Sequence, residues 1–339
     1  MTKGEGSGWL LSCDWGTSMF RLRLVDLADG AVLAERQTDD GISGLDAVRH
    51  AEGMPAEDRP RRLLAYLSLQ LAVLADTSGL DVAGLPLVVS GMASSTLGLR
   101  ALPYAELPFR LDGSDLVWVQ IEDLPTGNGV FLVSGVSSGS DMMRGEETEL
   151  MGLWCGMSGT EGRFDDVLWI LPGTHSKHVR VSGGRITGLA TFLTGELYAL
   201  LARQGILRDS VAVDAPADPG AARAHFVAGV DASAEVALTE GLFRVRARQL
   251  LQGVDAALNA RYLSGLLIGA ELRGMRDGGA PVCLCAPPAL SDLYRTALEV
   301  VVGADRLLEV DPGIAESACP LAHRHLYLHV ILPAIAGLR

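Results

Sequence analysis

The sequence predicts an α/β fold of two like domains, and three observations predict it. Asp14-Trp15-Gly16-Thr17-Ser18 follows the apolar run Trp9-Leu10-Leu11 and precedes the alternating Arg21-Leu22-Arg23-Leu24-Val25. Pro172-Gly173-Thr174-His175-Ser176-Lys177 has the same setting, after Leu168-Trp169-Ile170-Leu171 and before His178-Val179-Arg180-Val181. Each reads as strand, glycine–hydroxyl turn, strand; alternation gives the strands and glycine the tight reversal. Third, segments of helical spacing follow the strands in both halves. Turn tips of this kind present backbone N–H groups and hydroxyls that can cradle phosphate oxygens. Two of them, half a chain apart, predict two domains facing each other over a nucleotide.

The elements follow in order. Residues 9–36 read as a strand meander, with Ala31-Val32-Leu33-Ala34 entered through the turn Asp29-Gly30. Leu63, Leu64, Tyr66, Leu67, Leu71 and Leu74 mark an amphipathic helix over 60–76. Leu87-Val88-Val89 is a short buried strand ending at Ser90-Gly91-Met92, and residues 100–135 are strand-rich. A helix is expected over 146–154, bracketed by Gly145 and Gly156. In the second half, Leu193-Thr194-Gly195-Glu196 starts a helix that runs through Leu201. The span 232–276 reads as long and helical, with Gly265 and Gly269 leaving a smooth face for close packing. Val282-Cys283-Leu284-Cys285 is a buried strand and Ala286-Pro287-Pro288 the loop after it. Helices over 289–300 and near 321–338 close the chain. The expected domains are residues 1–145 and 146–339.

Composition limits the function. A chain of 339 residues that is 48% hydrophobic can bury two cores. Its net charge of −13 argues against nucleic acid or an anionic membrane as partner. An anionic substrate therefore needs a locally positive site. No secretory signal is recognised in residues 1–8. No apolar run is long enough to span a bilayer, since Leu326–Leu338 is broken by His329 and Pro333. The five cysteines show no disulfide framework, so a reducing cytoplasm is the expected location. Oligomeric state is left open, with a homo-oligomer among the alternatives.

Several residues could carry chemistry. Asp14 ends an apolar strand, where a carboxylate is costly unless partnered. It could organise Mg²⁺ beside phosphates or only close an Asx turn over Gly16; the second hairpin favours the metal role. Lys177 could neutralise charge in phosphoryl transfer or be an ordinary strand lysine. In Ser140-Asp141-Met142-Met143-Arg144-Gly145-Glu146-Glu147-Thr148-Glu149, acids at a helix start complement the helix dipole. That accounts for Glu149 but not for Arg144 and Glu146–Glu147 around a glycine. An anion-binding Arg beside a general base is the sharper reading. Cys319/His323 and His325/His329 have i,i+4 spacing that zinc ligands can use; a plain helix face explains them as well. Cys283 and Cys285 alternate and are expected in the core.

Together these motifs resemble the 2-dehydro-3-deoxygalactonokinase family of the acetate and sugar kinase/Hsc70/actin superfamily. The resemblance covers residues 9–303. It rests on Asp14-Trp15-Gly16-Thr17-Ser18 with Arg21, Ser90-Gly91-Met92, Pro103-Tyr104, Met143-Arg144-Gly145-Glu146-Glu147-Thr148, Leu171–Lys177, Thr194-Gly195-Glu196-Leu197 and Leu263–Glu271. It implies two ribonuclease-H-like domains with mixed sheets, hinged around ATP. It implies transfer of the ATP γ-phosphoryl group to the 6-hydroxyl of 2-dehydro-3-deoxy-D-galactonate. Gly16, Thr17, Ser18, Gly173, Thr174 and His175 would hold the phosphates, and Ala286 and Pro287 the adenosine. Asp14 would organise Mg²⁺ and Lys177 neutralise charge. Glu146 or Glu147 would be the base, with Asp141 as alternative. Arg144 would take the substrate carboxylate, with Ser90, Met92, Ser94 and Tyr104 around the acceptor. The sequence departs from the family at Met19, at Leu97-Gly98-Leu99 where a Trp is usual, and at Ala286 where Gly is common. Another keto-deoxy sugar acid or a hexose as acceptor, or a catalytically weak sugar-binding regulator, are the alternatives.

Overall fold

The computed structural model describes residues 8–121, 123–157, 165–275 and 279–337. The chain divides into two compact units. Unit 1 takes the chain up to Asp165, then Gly183–Gly188 and everything from Asp311; unit 2 takes Asp166–Ser182 and Leu189–Val310.

Unit 1 begins with the expected meander, β1 (Trp9–Trp15), β2 (Phe20–Asp26) and β3 (Val32–Thr38). Then come α1 (Ile42–Ala51), α2 (Arg59–Ser78) and β4 (Leu87–Gly91). Short strands follow: β5 (Ala105–Glu106), β6 (Phe109–Arg110), β7 (Trp118–Ile121), β8 (Val130–Val133), β9 (Val136–Ser137) and β10 (Met142–Met143). Helix α3 (Glu146–Gly156) comes next.

The main sheet has the order β3-β2-β1-β4-β8-β7. β1 is antiparallel to β2 but parallel to β4, so β1 and β4 end on the same edge. Alternation along β1 sends Leu11, Cys13 and Trp15 into a core shared with Leu63, Leu67, Leu71 and Leu74 of α2. That leucine stripe is the one expected from the sequence. Gly79 ends α2 in the left-handed conformation. The opposite face of β1 carries Ser12 and is covered by the last long helix of the chain.

Unit 2 contains β11 (Val167–Leu171), β12 (Ser176–Ser182) and the end of β13 (Arg185–Phe192). The start of β13 lies in unit 1, where Arg185 and Ile186 pair with β6. Helices α4 (Thr194–Arg203), α5 (Pro219–Glu235), α6 (Leu238–Gln252) and α7 (Ala256–Arg273) follow. Then come β14 (Val282–Leu284), α8 (Pro288–Val301) and β15 (Leu307–Glu309). The strand order is β15-β14-β11-β12-β13. Again the first strand is antiparallel to the second and parallel to the one beyond a helical stretch. Five strands take the same order in both units, with β7 added at the edge of unit 1, and this makes each ribonuclease-H-like, as expected. Its core joins Leu168 and Ile170 to Phe226, Ile268, Tyr294 and Leu298.

The chain ends in unit 1 with α9 (Pro312–Leu326), a π turn over Tyr327–Ile331 and α10 (Leu332–Ala336). Helix α9 packs against α3, β1 and β2. Its contact with α3 is close: a Cβ on Gly152 would fall 1.6 Å from the Ala318 carbonyl oxygen.

Two expectations need correction. The span 232–276 is three helices, because Gly253 caps α6 in the left-handed conformation and the Asp255 carboxylate caps α7. The final helix starts at Pro312, where the Asp311 side chain accepts from Gly313 N–H. In the compact units α3 and residues from 311 onward pack together in unit 1. Gly265 and Gly269 do serve close packing: on Gly265 a Cβ would lie 2.0 Å from the Phe226 carbonyl oxygen of α5.

Candidate active site

In unit 1 the first turn springs from the carboxyl end of β1. Gly16 N–H donates to the Met19 carbonyl at 2.9 Å and closes it. The turn is backed by the start of α1: Ile42 N–H donates to Gly16 and Ser43 N–H to Thr17. Gly41 permits this, because a Cβ there would sit 2.2 Å from Thr17 O. Trp15 is buried below, edge-on to Phe20, and its indole N–H donates to Asp40. Thr17 and Ser18 are thereby presented from a rigid base.

Asp14 stands opposite Arg21 in the β1–β2 register, and Arg21 Nη1 donates to its Oδ2 at 2.9 Å. Asp14 is also in register with Ser90 of β4. Gly91 follows. A Cβ on Gly91 would lie 2.7 Å from Trp15 O and 3.4 Å from Asp14 Oδ1. A Cβ on Gly145 would lie 3.5 Å from Gly91 Cα. Gly91 therefore brings Asp14 and the start of α3 to one place.

The small sheet β10-β9-β5 assembles Arg144 and Tyr104. β10 runs antiparallel to β9 and β5 parallel, with Met143 and Ala105 both opposite Val136. The residue after Met143 and the residue before Ala105 thus meet beside Gly135. The Arg144 guanidinium lies over the Tyr104 ring, 4.2 Å from its centroid. Its Nη1 donates to Ser94 O at 2.7 Å and to Ser94 Oγ; its Nη2 donates to Leu102 O at 3.4 Å. Its Nε is buried without a hydrogen-bond partner among the described residues. Arg144 therefore braces the 92–104 loop, a duty the sequence did not reveal. Met92 is half-buried in the 3-10 turn after β4, while Ser90 and Ser94 are buried.

The two glutamates part company. Gly145, at φ +115°, turns the chain so that Glu147 folds back on the helix start. Gly145 N–H donates to both Glu147 carboxylate oxygens at 2.9 Å, and Thr148 Oγ1 donates to Oε1 at 3.1 Å. Glu147 has no exposed surface. Burial, helped by the Glu146 charge, pushes its pKa up to about 7. Glu146 is half-buried, and its Oε2 accepts Arg144 N–H at 3.0 Å. Asp141 is half-buried, and its carboxylate accepts its successor's N–H.

Behind Asp14 lies a buried polar cluster from α9. His323 Nδ1 and Ser12 Oγ are 2.8 Å apart, and burial pushes the His323 pKa down to about 3. Cys319 Sγ lies 3.9 Å from Ser90 Oγ. Burial and then the Asp14 charge push the Cys319 thiol up to about 12. Among the described residues no three His, Cys, Asp or Glu side chains gather as a metal site. His323 and Cys319 are core partners of β1 and β4.

In unit 2 the second turn leaves β11, and the Ala286–Pro287 loop leaves β14. These strands are parallel, so both segments lie at one edge of the sheet. Ligands of open α/β sheets bind outside such carboxyl ends. Gly173 faces open space, and Thr174 O accepts Glu196 N–H at 3.0 Å. His175 Nε2 and Glu196 Oε2 are 2.5 Å apart, both partly exposed. Lys177 is 5% exposed, and its Nζ donates to His175 O at 3.4 Å. Ala286 is half-buried and Pro287 exposed at the start of α8.

Residues 14–317 match the family model described as 2-keto-3-deoxy-galactonokinase. The chain belongs to the 2-keto-3-deoxygalactonokinase family. A Rhizobium meliloti (strain 1021) protein named "Probable 2-dehydro-3-deoxygalactonokinase DgoK1" is 37% identical over 303 residues, 86% of this chain and 90% of its own. The Escherichia coli (strain K12) 2-dehydro-3-deoxygalactonokinase is 28% identical over 302 residues, covering 86% and 89%. The crystal structure of a Sinorhizobium meliloti protein assigned as a 2-dehydro-3-deoxygalactonokinase superposes with a TM-score of 0.76 at 33% identity, covering 95% of this chain and 97% of that one. The family match takes in both turns, the Arg144–Tyr104 cluster and the start of α3. Among the described residues no helix is long and apolar enough to cross a membrane.

Proposed function

We propose that this chain transfers the γ-phosphoryl group of ATP to the 6-hydroxyl of 2-dehydro-3-deoxy-D-galactonate. The observation that carries the reading is the family match over residues 14–317, which takes in every residue of the two half-sites. Unit 2 binds the nucleotide, with Gly173, Thr174 and His175 at its phosphates and Ala286–Pro287 at the adenosine. Unit 1 binds the sugar acid and presents Gly16, Thr17 and Ser18 to the phosphates. Phosphoryl transfer asks for positioning and charge neutralisation, and turns braced as these are supply both.

Asp14 suits Mg²⁺. This ion keeps most of its waters and takes one or two carboxylates together with substrate phosphates. One Asp14 oxygen is held by Arg21, while the other lies over Gly91. When bound, the ion neutralises charge on the transferring group. Glu146 is the general base: it is half-buried, whereas the Glu147 carboxylate is enclosed and occupied by Gly145 N–H. Arg144 retains one Nη2–H beyond the bonds to Ser94 and Leu102, and this meets the substrate carboxylate. Lys177 acts through the second turn, as its ammonium bonds the His175 carbonyl. The reaction takes place in the cytoplasm, where ATP is the phosphoryl donor. Its partners are the two small molecules, without nucleic acid or membrane.

The test is ADP release by the purified chain with ATP and Mg²⁺. 2-Dehydro-3-deoxygalactonate, its gluconate epimer and glucose are offered in turn. Turnover with the galactonate acid is expected, and folded protein inactive on every keto-deoxy acid overturns the reading.

A further inference from the structure

Directly behind the second turn, unit 2 encloses a carboxylate. Glu271, near the end of α7, is 3% exposed. It accepts from Ser176 Oγ at 2.6 Å, from Tyr294 OH at 2.8 Å and from His178 Nε2 at 3.0 Å. Ser176 and His178 are two apart on β12 and so share a face of the sheet. His178 also lies against Phe192, ring centroids 4.3 Å apart, which fixes its plane. Burial and then the Glu271 charge hold the Tyr294 phenol well above its usual pKa, so it remains a donor.

The origin of these donors matters more than their number. Ser176 is the first residue of β12, next to His175 of the turn. Tyr294 belongs to α8, which is entered from the Ala286–Pro287 loop. One carboxylate thus ties together the two segments read as the nucleotide half-site. From another side the turn is clamped by α4: a Cβ on Gly195 would lie 2.4 Å from Gly173 O. A buried carboxylate is costly to desolvate, and an apolar side chain of similar size would hold α7 to the sheet without that cost. Both Glu271 oxygens are hydrogen-bonded, while His178 Nδ1 is buried without a partner among the described residues; a buried carboxylate bonded on both oxygens fixes the geometry of its donors.

We infer that Glu271 is a positioning residue for phosphoryl transfer, holding the Pro172–His175 turn and the Ala286–Pro287 loop in one mutual register. This rests on the reading of that turn as the phosphate-binding turn of the kinase. The carboxylate acts only through Ser176, His178 and Tyr294.

Steady-state kinetics on the full chain test it. Glu271→Gln places an NH₂ donor among donors. Its ATP KM is expected to rise about tenfold or more with a fall in kcat, since small misplacements are costly in catalysis. The sugar-acid KM is expected to stay unchanged. A merely structural role would lower Tm and the active fraction but leave both KM values alone. Ser176→Ala and Tyr294→Phe each remove one donor and serve if the Gln variant does not fold. Each is expected to raise the ATP KM about three- to tenfold, the effect of one hydrogen bond. Wild-type ATP KM and kcat in both single-donor variants overturns the inference. Thr174→Val separates it from the reading beneath. If that variant raises the ATP KM while the cluster variants do not, the positioning role falls and the phosphate turn stands. If Thr174→Val leaves the ATP KM unmoved, the phosphate turn falls and takes the role of Glu271 with it.

Discussion

Glu146 and Glu147 are adjacent in the chain but differ in what surrounds them. A sequence reading can say that successive helical residues point about 100° apart, so one carboxylate at most reaches an acceptor. It could not say which, because Gly145 at φ +115° decides which oxygen meets the helix start. Glu146→Gln is expected to lower kcat about a hundredfold or more, as loss of a general base does, with Tm unchanged. Glu147→Gln is expected to act on stability instead. The folded pKa of Glu147 is raised from the usual 4.5 to about 7. Below pH 4.5 the group is protonated in both states and contributes nothing. Between these values the unfolded state loses the proton first, so stability falls as pH rises, then levels off. The full penalty is on the order of 3 kcal/mol. Glu147→Gln should flatten that decline in melts between pH 4.5 and 8. A decline of undiminished slope would show that another group causes it. Asp14→Asn is expected to cost about a hundredfold or more in turnover with little change in Tm, since a lost charge-stabilising contact acts on the transition state. Near-normal turnover would leave Asp14 as a turn residue, a role that Asn fills equally well.

Helices α5 and α7, and α3 and α9, meet at glycines rather than at leucine ridges. The Gly265/Gly269 spacing was legible because two glycines four apart share a helix face. Gly152 and Gly156 of α3 have the same spacing, but Gly156 reads as the end of the helix, and Ala318, the partner of Gly152, is far away in sequence. A Cβ at Gly152 would fall 1.6 Å from Ala318 O, and at Gly265 2.0 Å from Phe226 O. Both clashes are with backbone, so a helix must move. Gly152→Ala and Gly265→Ala are each expected to destabilise by about 1–3 kcal/mol or more in urea unfolding. Gly44 in α1 supplies the contrast, with nothing within 4 Å of its would-be Cβ. Gly44→Ala is expected to stabilise by about 0.5–1 kcal/mol through backbone entropy alone. Opposite signs at these sites separate close packing from helix propensity; equal signs would refute the packing account. Helix ends were the least legible feature at this scale. Ala/Leu/Arg composition hid the breaks near 236 and 254, and Asp311-Pro312 is a start signal that the apolar run after it overshadowed.

At the scale of the molecule, the repeated hairpin was the part of the fold most legible in the sequence, because strand alternation and a glycine turn are local. The strand order that follows each hairpin is the same in both units, though only the first two strands of each are alike in sequence. The division between units was illegible for the opposite reason. It depends on a contact between α3 and α9, across which Gly152 and Ala318 touch. Unit 1 therefore needs the end of the chain. Ala318, Ala322, His323 and Leu326 of α9 are buried, and His323 bonds Ser12 on the sheet face that α2 does not cover. Among the described residues the unit 2 cores, by contrast, draw on none past Leu307. Ending the chain after Val310 should bare that face of the unit 1 sheet. Loss of Leu326 alone forfeits about 1.5–3 kcal/mol of burial, and the His323–Ser12 bond goes with it. Calorimetry of the shortened chain is expected to keep a transition for unit 2 and lose the one for unit 1, with turnover abolished. Proteolysis should then cut within residues 8–157 while sparing 189–310. A shortened chain that melts with the enthalpy and midpoint of the full one would mean that α9 is dispensable to unit 1. The cut expected at 145/146 would then describe the folding units better than the packing does.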